Sequence, residues 1–224
     1  MAIAFASGAY WLRTANLLNY NAAYTVSFWF RADALATGIT QNMFVAGRNT
    51  GNSSVDYIGL RSTVATLSLW VHNRVSGSQQ NGLTTLSANT WYFVALVRSS
   101  ATAAILYRGS ESAAAAAETS SNTTDVSSRF SCTHLTIAAG FNGGSPLQFF
   151  AGRIHSVKIW DAALTLAELQ NEQWIWRPQR WADLRSWYPT WDTASDRNLD
   201  YFNGYTFTES GTISVALHPS ISYG

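Results

Sequence analysis

Two carboxyl groups about 5–5.5 Å apart on one face can cleave a glycosidic bond, one as nucleophile and the other as acid. The acids of this chain do not form that pattern. Before Glu111 only Asp33 and Asp56 occur, and neither has an acidic neighbour two or four positions away. Asp192, Asp196 and Asp200 recur every four residues, but in a Ser/Asn-rich stretch after Pro189, where aspartates serve turns; they read as solvated turn residues. No G-x-S-x-G is present. Cys132 and His134 stand at i and i+2 at the start of an extended segment, so a thiol–imidazole pair is open. The other reading of Cys132 is a small buried hydrophobe. Ca²⁺ needs six to eight oxygens, usually with more than one carboxylate. Asp33, Asp56, Asp125 and Asp161 are isolated, without D-x-D-x-D or D-x-N-x-D, and Asp161 reads as the turn after Trp160. The expectation is a chain that is not an enzyme, with no metal site and no cofactor. A Ca²⁺ site assembled from distant loops is the one form the sequence would hide.

Other residues could bind. In the segment 65–74, Leu67, Leu69 and Val71 share one side, which leaves Trp70, His72 and Arg74 on the other. If that side meets solvent, an indole flanked by imidazole and guanidinium is a platform on which a sugar ring could stack; if not, Trp70 is core of a second layer. Trp174, Trp176, Trp181, Trp187 and Trp191 form a second group within eighteen residues. They either wrap and cover the body of the fold or make a protein–protein anchor, because tryptophan is enriched at interface hot spots.

Extended segments must position these residues. Tyr24–Arg31 alternates, with Tyr24, Val26, Phe28 and Phe30 on one face and Thr25, Ser27, Trp29 and Arg31 on the other, predicting a strand with one buried face. Residues 56–61 and 65–72 predict a hairpin, and Trp91–Arg98, apolar on both sides, a central strand. A strand over 103–108 turns at Gly109, and 110–130 is a polar loop around Ala113–Ala117. Residues 135–139 and 148–160 predict further strands, the latter with a β-bulge where the apolar frame slips between Ile154 and Val157. One helix is predicted over Thr165–Gln173, opened by Thr165 and Glu168 at capping-box spacing. A last strand pair is expected at 205–208 and 212–215. The sum is an all-β, two-sheet antiparallel sandwich with one short helix in its C-terminal half.

Composition agrees with a contact protein. Only 12% of residues are charged, about half the usual share, and neutral polar groups cost less to desolvate than charges. The net charge is +1, with thirteen scattered arginines and the lone Lys158, so no basic stripe for nucleic acid exists. No apolar window approaches a membrane span, and the N-terminus lacks the basic region of a signal peptide. Neither nucleic acid nor membrane is an expected partner.

Three phrases carry a family likeness: Tyr24-Thr-Val-Ser-Phe-Trp-Phe30; Trp91 to Val97 followed by Tyr107-Arg-Gly109; and Phe150-Ala-Gly-Arg-Ile-His-Ser-Val-Lys-Ile-Trp160 followed by Ala163-Leu-Thr-Leu-Ala-Glu-Leu169. In order and spacing they resemble the laminin-G-like jelly rolls of the concanavalin A-like lectin/glucanase superfamily. The resemblance implies a single domain over 1–224, with a core at 3–173 and a Trp-rich extension, 174–224, packed on it. Stand-alone chains of this layout resemble bacteriophage structural proteins. That implies a virion protein (capsid decoration, fibre or tail accessory), homo-oligomeric and partnered by capsid or other virion proteins, with glycan adhesion as an accessory. The alternative it implies is a carbohydrate-binding lectin-like module, with glycoside hydrolysis least expected.

Overall fold

The computed structural model describes residues 1–14, 18–19, 22–35, 40–47, 56–61, 65–72, 77–127, 132–142, 145–190 and 196–221, with the side chains of Arg61, His72 and Asn142 outside that description. Strands β1 (Ala2–Phe5), β2 (Tyr10–Arg13), β3 (Tyr24–Ala32), β4 (Gln41–Gly47), β5 (Asp56–Arg61), β6 (Thr66–His72), β7 (Gly77–Asn81), β8 (Trp91–Ser100) and β9 (Ala103–Ser110) lead the chain. They are followed by β10 (Ala116–Ala117), β11 (His134–Ile137), β12 (Gly140–Asn142), β13 (Ser145–Leu147) and β14 (Gly152–Trp160). Helix α1 (Leu166–Trp174) precedes β15 (Leu184–Tyr188), β16 (Thr208–Ser210) and β17 (Ile213–Ala216).

One sheet runs β10-β9-β8-β3-β14-β1-β17, with β15 beside β14; the other runs β16-β2-β11-β4-β5-β6-β7. The strand pairings are antiparallel, and the sheets stack as a sandwich, as the sequence predicts. Alternation explains the stacking. Val26, Phe28 and Phe30 of β3 stand opposite Leu96, Val94 and Tyr92 of β8 and meet Phe44, Ile58, Leu67, Leu69 and Ile137 of the other sheet in one buried cluster. The bulge in β14 falls where expected: pairing with β3 shifts between His155 and Lys158, and Ser156 takes φ 50°. The shift keeps Ile154 on the core side before it and Val157 and Ile159 after it.

The outer face of the eight-stranded sheet departs from expectation. Thr25, Ser27 and Trp29 are buried, so β3 has two covered faces rather than one. The cause is a second layer of α1 and the segment after it, which packs Leu169, Leu184 and Trp187 on Trp29, Phe93, Ala95 and Trp160. The capping box holds α1's start, with Thr165 accepting from Glu168 N and the Glu168 carboxylate reaching back to Thr165 N. Its end is held by Lys158, whose Nζ donates to the Glu172 carboxylate at 2.7 Å and to the carbonyls of Glu172 and Ile175. The only lysine is thus buried, where it satisfies carbonyls that a helix terminus leaves unpaired.

Three further expectations change. β16 and β17 do not pair with each other; β16 joins β2 and β17 joins β1, on different sheets. The stretch expected as a polar loop contributes β10 to β9, and Glu118, 3% exposed, pairs with Arg108 at 2.9 Å. Asp200 is not solvated: it is 1% exposed, accepts from the backbone N–H groups of Trp187 and Phe202, and lies 4.0 Å from the buried Arg13 guanidinium. A charge on the inward side of β2 needs a counter-charge, and the C-terminal segment supplies it.

Candidate functional site

The predicted hairpin β5–β6 forms, and its register decides what its outer face presents. Ile58, Leu60, Leu67, Leu69 and Val71 enter the inter-sheet core. Tyr57 therefore faces outward and stands directly opposite Trp70. Their rings lie parallel, 4° apart in plane with centroids 5.9 Å apart, and both are half-buried. Trp70 is thus not core. On the next strand Gln79 stands opposite Trp70; on the other side come Val45 and then Thr136. One row, Thr136–Val45–Tyr57–Trp70–Gln79, crosses five strands. His72 continues β6, but its side chain, like all of Arg74, lies outside the described residues.

Buried polar atoms frame this row on the same face. Asn42 Oδ1, Thr66 Oγ1 and His134 Nε2 have no hydrogen-bond partner among the described residues. Glycines let two of these side chains lie close to the sheet: a Cβ on Gly47 would sit 2.3 Å from His134 Nε2, and one on Gly59 would sit 3.1 Å from Asn42 Oδ1. Burial pushes the His134 pKa down to about 4, so its imidazole is neutral at ordinary pH. No carboxylate faces outward from the described part of this sheet. Asp56 precedes Tyr57 and so points inward, accepting from Arg98 Nε at 2.7 Å and Nη2 at 2.6 Å and from the Tyr24 hydroxyl. Burial, then the Asp56 charge, holds the Tyr24 phenol well above its usual pKa; Asp56 overrides the effect of burial on Arg98 and raises it. These groups weld the sheets and do not reach solvent.

The remaining candidates separate. Cys132 belongs to the core and donates to Leu18 O at 3.3 Å, with burial pushing its pKa up to about 12, whereas His134 faces outward against Phe141. They make no nucleophilic pair. Among the described residues no group of three or more His, Cys, Asp or Glu is placed to hold a metal ion. The structure draws together Trp176, Trp181 and Trp187: the Trp187 ring lies 5.0 Å from that of Trp176 and 6.4 Å from that of Trp181. Trp174 turns instead to Trp29, at 6.4 Å, and Trp191 lies outside the described residues. Trp187 is 6% exposed and Trp181 52%, so the group holds both a covering and a presented residue. Tyr57 went unread in the sequence, although a hairpin that aligns Arg61 with Thr66 necessarily aligns Tyr57 with Trp70.

Two antiparallel sheets stacked face to face, one of them bearing a partly exposed aromatic pair on its outer side, are the architecture of a lectin-type β-sandwich. Residues 6–170 match the Laminin_G_3 family, described as the concanavalin A-like lectin/glucanases superfamily, and the chain belongs to it. No curated protein matches. Among solved structures, a Bacteroides ovatus protein named for a proposed carbohydrate-binding role is similar over 100% of this chain and 61% of its own, at TM-score 0.69 and 18% identity. The chain therefore spans about three fifths of that protein. A heptameric SAP-like pentraxin from Limulus polyphemus is similar over 98% and 97%, at TM-score 0.66 and 12% identity. The CBM40 module of the Ruminococcus gnavus IT-sialidase, solved with α2,3-sialyllactose, is similar over 70% and 84%, at TM-score 0.54 and 13% identity. At such identities the likeness is one of fold. Among the described residues no helix is long and apolar enough to cross a membrane.

Proposed function

We propose that this protein is a non-catalytic carbohydrate-binding module that receives its glycan on the outer face of the seven-stranded sheet, against Trp70. The observation that carries this reading is the parallel, partly exposed Tyr57–Trp70 pair on the outer face of the sheet. A pyranose presents a C–H face to an indole and hydroxyls to its rim, so an aromatic pair flanked by the partly exposed Gln79 offers both kinds of contact. The similar proteins named for carbohydrate binding support the ligand class. Among the described residues no carboxylate on that face is placed to act as acid or nucleophile, so bound sugar is held and not cleaved.

A glycan array followed by calorimetry on Trp70→Ala tests the proposal. Covering about 60 Å² of indole at ~25 cal/mol per Å² is worth ~1.5 kcal/mol, so the variant should bind about tenfold more weakly. Unchanged affinity in Trp70→Ala, or an array without a single bound glycan, refutes it; release of reducing sugar from β-glucan would refute the non-catalytic part.

A second reading, a virion accessory protein acting through protein contacts and self-association, draws on one specific observation. β17 ends its sheet with the uncharged sequence Ile213-Ser-Val-Ala216, followed by Leu217 at 79% exposure. Sheet edges are usually guarded by charge or proline, and an unguarded one can pair with another chain. Light scattering on the wild type and Leu217→Lys reads self-association, and mass spectrometry of purified particles reads the virion setting. A wild type that is monomeric at high concentration and missing from particles ends this reading.

A further inference from the structure

We propose that the corner between α1 and β15 is a second carbohydrate site, built on Trp181 and selective for neutral oligosaccharides; its ligand class rests on the lectin reading above, but its residues are independent of Trp70. Three exposed rings meet there. Trp181, Tyr201 and Phe202 are 52%, 43% and 42% exposed, with Trp181 6.1 Å from Phe202 and Tyr201 6.1 Å from the buried Trp187. The Trp187 indole N–H, in the floor of this cluster, finds no acceptor among the described residues. The turn carrying Trp181 is rigidly held. Arg180 reaches Glu168 on α1 and Asp183 at 2.9 Å, the Trp181 carbonyl accepts from Leu184 N, and Trp160 Nε1 donates to the Arg180 carbonyl at 2.8 Å. An aromatic ring fixed before binding loses little freedom when a ligand arrives.

Arg180, the residue before Trp181, lines a cleft of about 180 Å³ together with Glu168, Asn171, Glu172 and Gln179. It is smaller than the roughly 300–1,000 Å³ of drug-sized pockets and suits one ring-sized polar molecule. Asn171 and Gln179 are exposed in the cleft wall, and each side-chain amide offers a donor and an acceptor to vicinal hydroxyls. Area separates a sugar from a second protein. At these exposures three rings of 150–250 Å² each present roughly 300 Å², well short of the ~800 Å² per partner of a stable protein interface. Charge selects among sugars: Glu168 and Asp183 share Arg180, the cation that lines the cleft, while Asp161 is matched by Arg185 and Glu172 by Lys158, so Arg180 has no unshared charge to offer an acidic glycan.

The two sites can be read separately by NMR titration of the ¹⁵N-labelled full chain, following the indole N–H signals of Trp70 and Trp181, each assigned by its loss in the Trp→Phe variant. Cellotetraose, maltotetraose and triacetylchitotriose serve as neutral probes and 3′-sialyllactose as the acidic one. A neutral probe should shift the Trp181 signal in the wild type and equally in Trp70→Ala. Trp181→Ala, or the pair Asn171→Ala and Gln179→Ala, should weaken that binding at least tenfold with unchanged melting temperature. 3′-Sialyllactose should leave the signal in place. If Trp181 is silent to all three neutral probes at millimolar concentration, or prefers the acidic one, the proposal fails. It also fails if the Trp181 signal responds only to protein concentration and Trp181→Ala dissolves an oligomer, which would assign the patch to protein docking. A response at Trp181 with none at Trp70 would keep this site and refute the one on the seven-stranded sheet.

Discussion

Removing the Asp56 carboxylate should be the most damaging single change in this fold. Asp56 and Arg98 sit on opposite sheets, 42 positions apart, with fully buried side chains. Asp56→Ala would leave the guanidinium with its bonds to the carbonyls of Ser100 and Ala101 and no counter-charge, and would strand the Tyr24 hydroxyl. Breaking a buried pair in this way costs about 3–5 kcal/mol. At about 2–4 °C per kcal/mol for a chain this size, the melting temperature should fall by roughly 6–20 °C. Arg98→Met should cost a comparable amount by stranding the carboxylate. The double variant Asp56→Leu, Arg98→Met removes both charges and should recover most of the loss, because a well-packed apolar pair often matches a buried ion pair. Urea unfolding of the wild type, the single variants Asp56→Leu and Arg98→Met, and the double variant closes the cycle and yields the coupling energy. If Asp56→Ala loses less than about 1 kcal/mol, or the double variant loses the sum of the singles, the pair does not weld the sheets and the reasoning is wrong.

Two other outcomes follow from the same structure. Thr165→Ala removes the acceptor for Glu168 N at 3.3 Å and should cost about 1 kcal/mol in urea unfolding, whereas Thr165→Ser should cost much less; equal losses would deny the cap. Stability should also fall on acidification. Burial lowers the pKa of His134 to about 4 and of His155 to about 3, while the unfolded chain protonates near 6.5. Between those values the unfolded state holds more protons, so each histidine removes about 1.4 kcal/mol per pH unit below ~6.5. The double variant His134→Gln, His155→Gln should flatten the profile between pH 7 and 5, and an unchanged slope would contradict the assignment.

How much the sequence discloses depends on how local the cause is. β3, β8, β14 with its bulge, and the cap of α1 are legible because alternation and capping need only neighbours in the chain. β4 is not: a register shift between Asn42 and Phe44 breaks its period, and its residues are buried throughout. β7, Gly77-Ser-Gln-Gln-Asn81, has no apolar face to read. The covering of Trp29 could not be foreseen from β3, because the covering residues arrive 140 positions later; Trp29 Nε1 donates to Gln173 O. At the site, Trp70 is visible through alternation alone, but Asn42 and His134 reach the same face only through a sheet order in which β11, β4 and β5 are neighbours.

The outer faces of the two sheets differ in what covers them. On the eight-stranded sheet, Thr25, Trp29, Ser156, Lys158 and Trp160 all donate to carbonyls of residues 162–180, so the added layer is fitted to the face it covers, although Ser27, Arg31, Arg153, His155 and Trp187 each keep an atom without a hydrogen-bond partner among the described residues. On the seven-stranded sheet, Tyr57 and Trp70 remain partly exposed, while Asn42, Thr66 and His134 hold buried atoms without a hydrogen-bond partner among the described residues. The exposed part of these rings lies beside Gln79, whose side chain is also partly exposed, so the face suits a ligand that brings an apolar side and hydroxyls together. A second protein could cover the same rings, but it would have to supply donors and acceptors at that spacing from side chains. A saccharide carries both on every carbon of its rim.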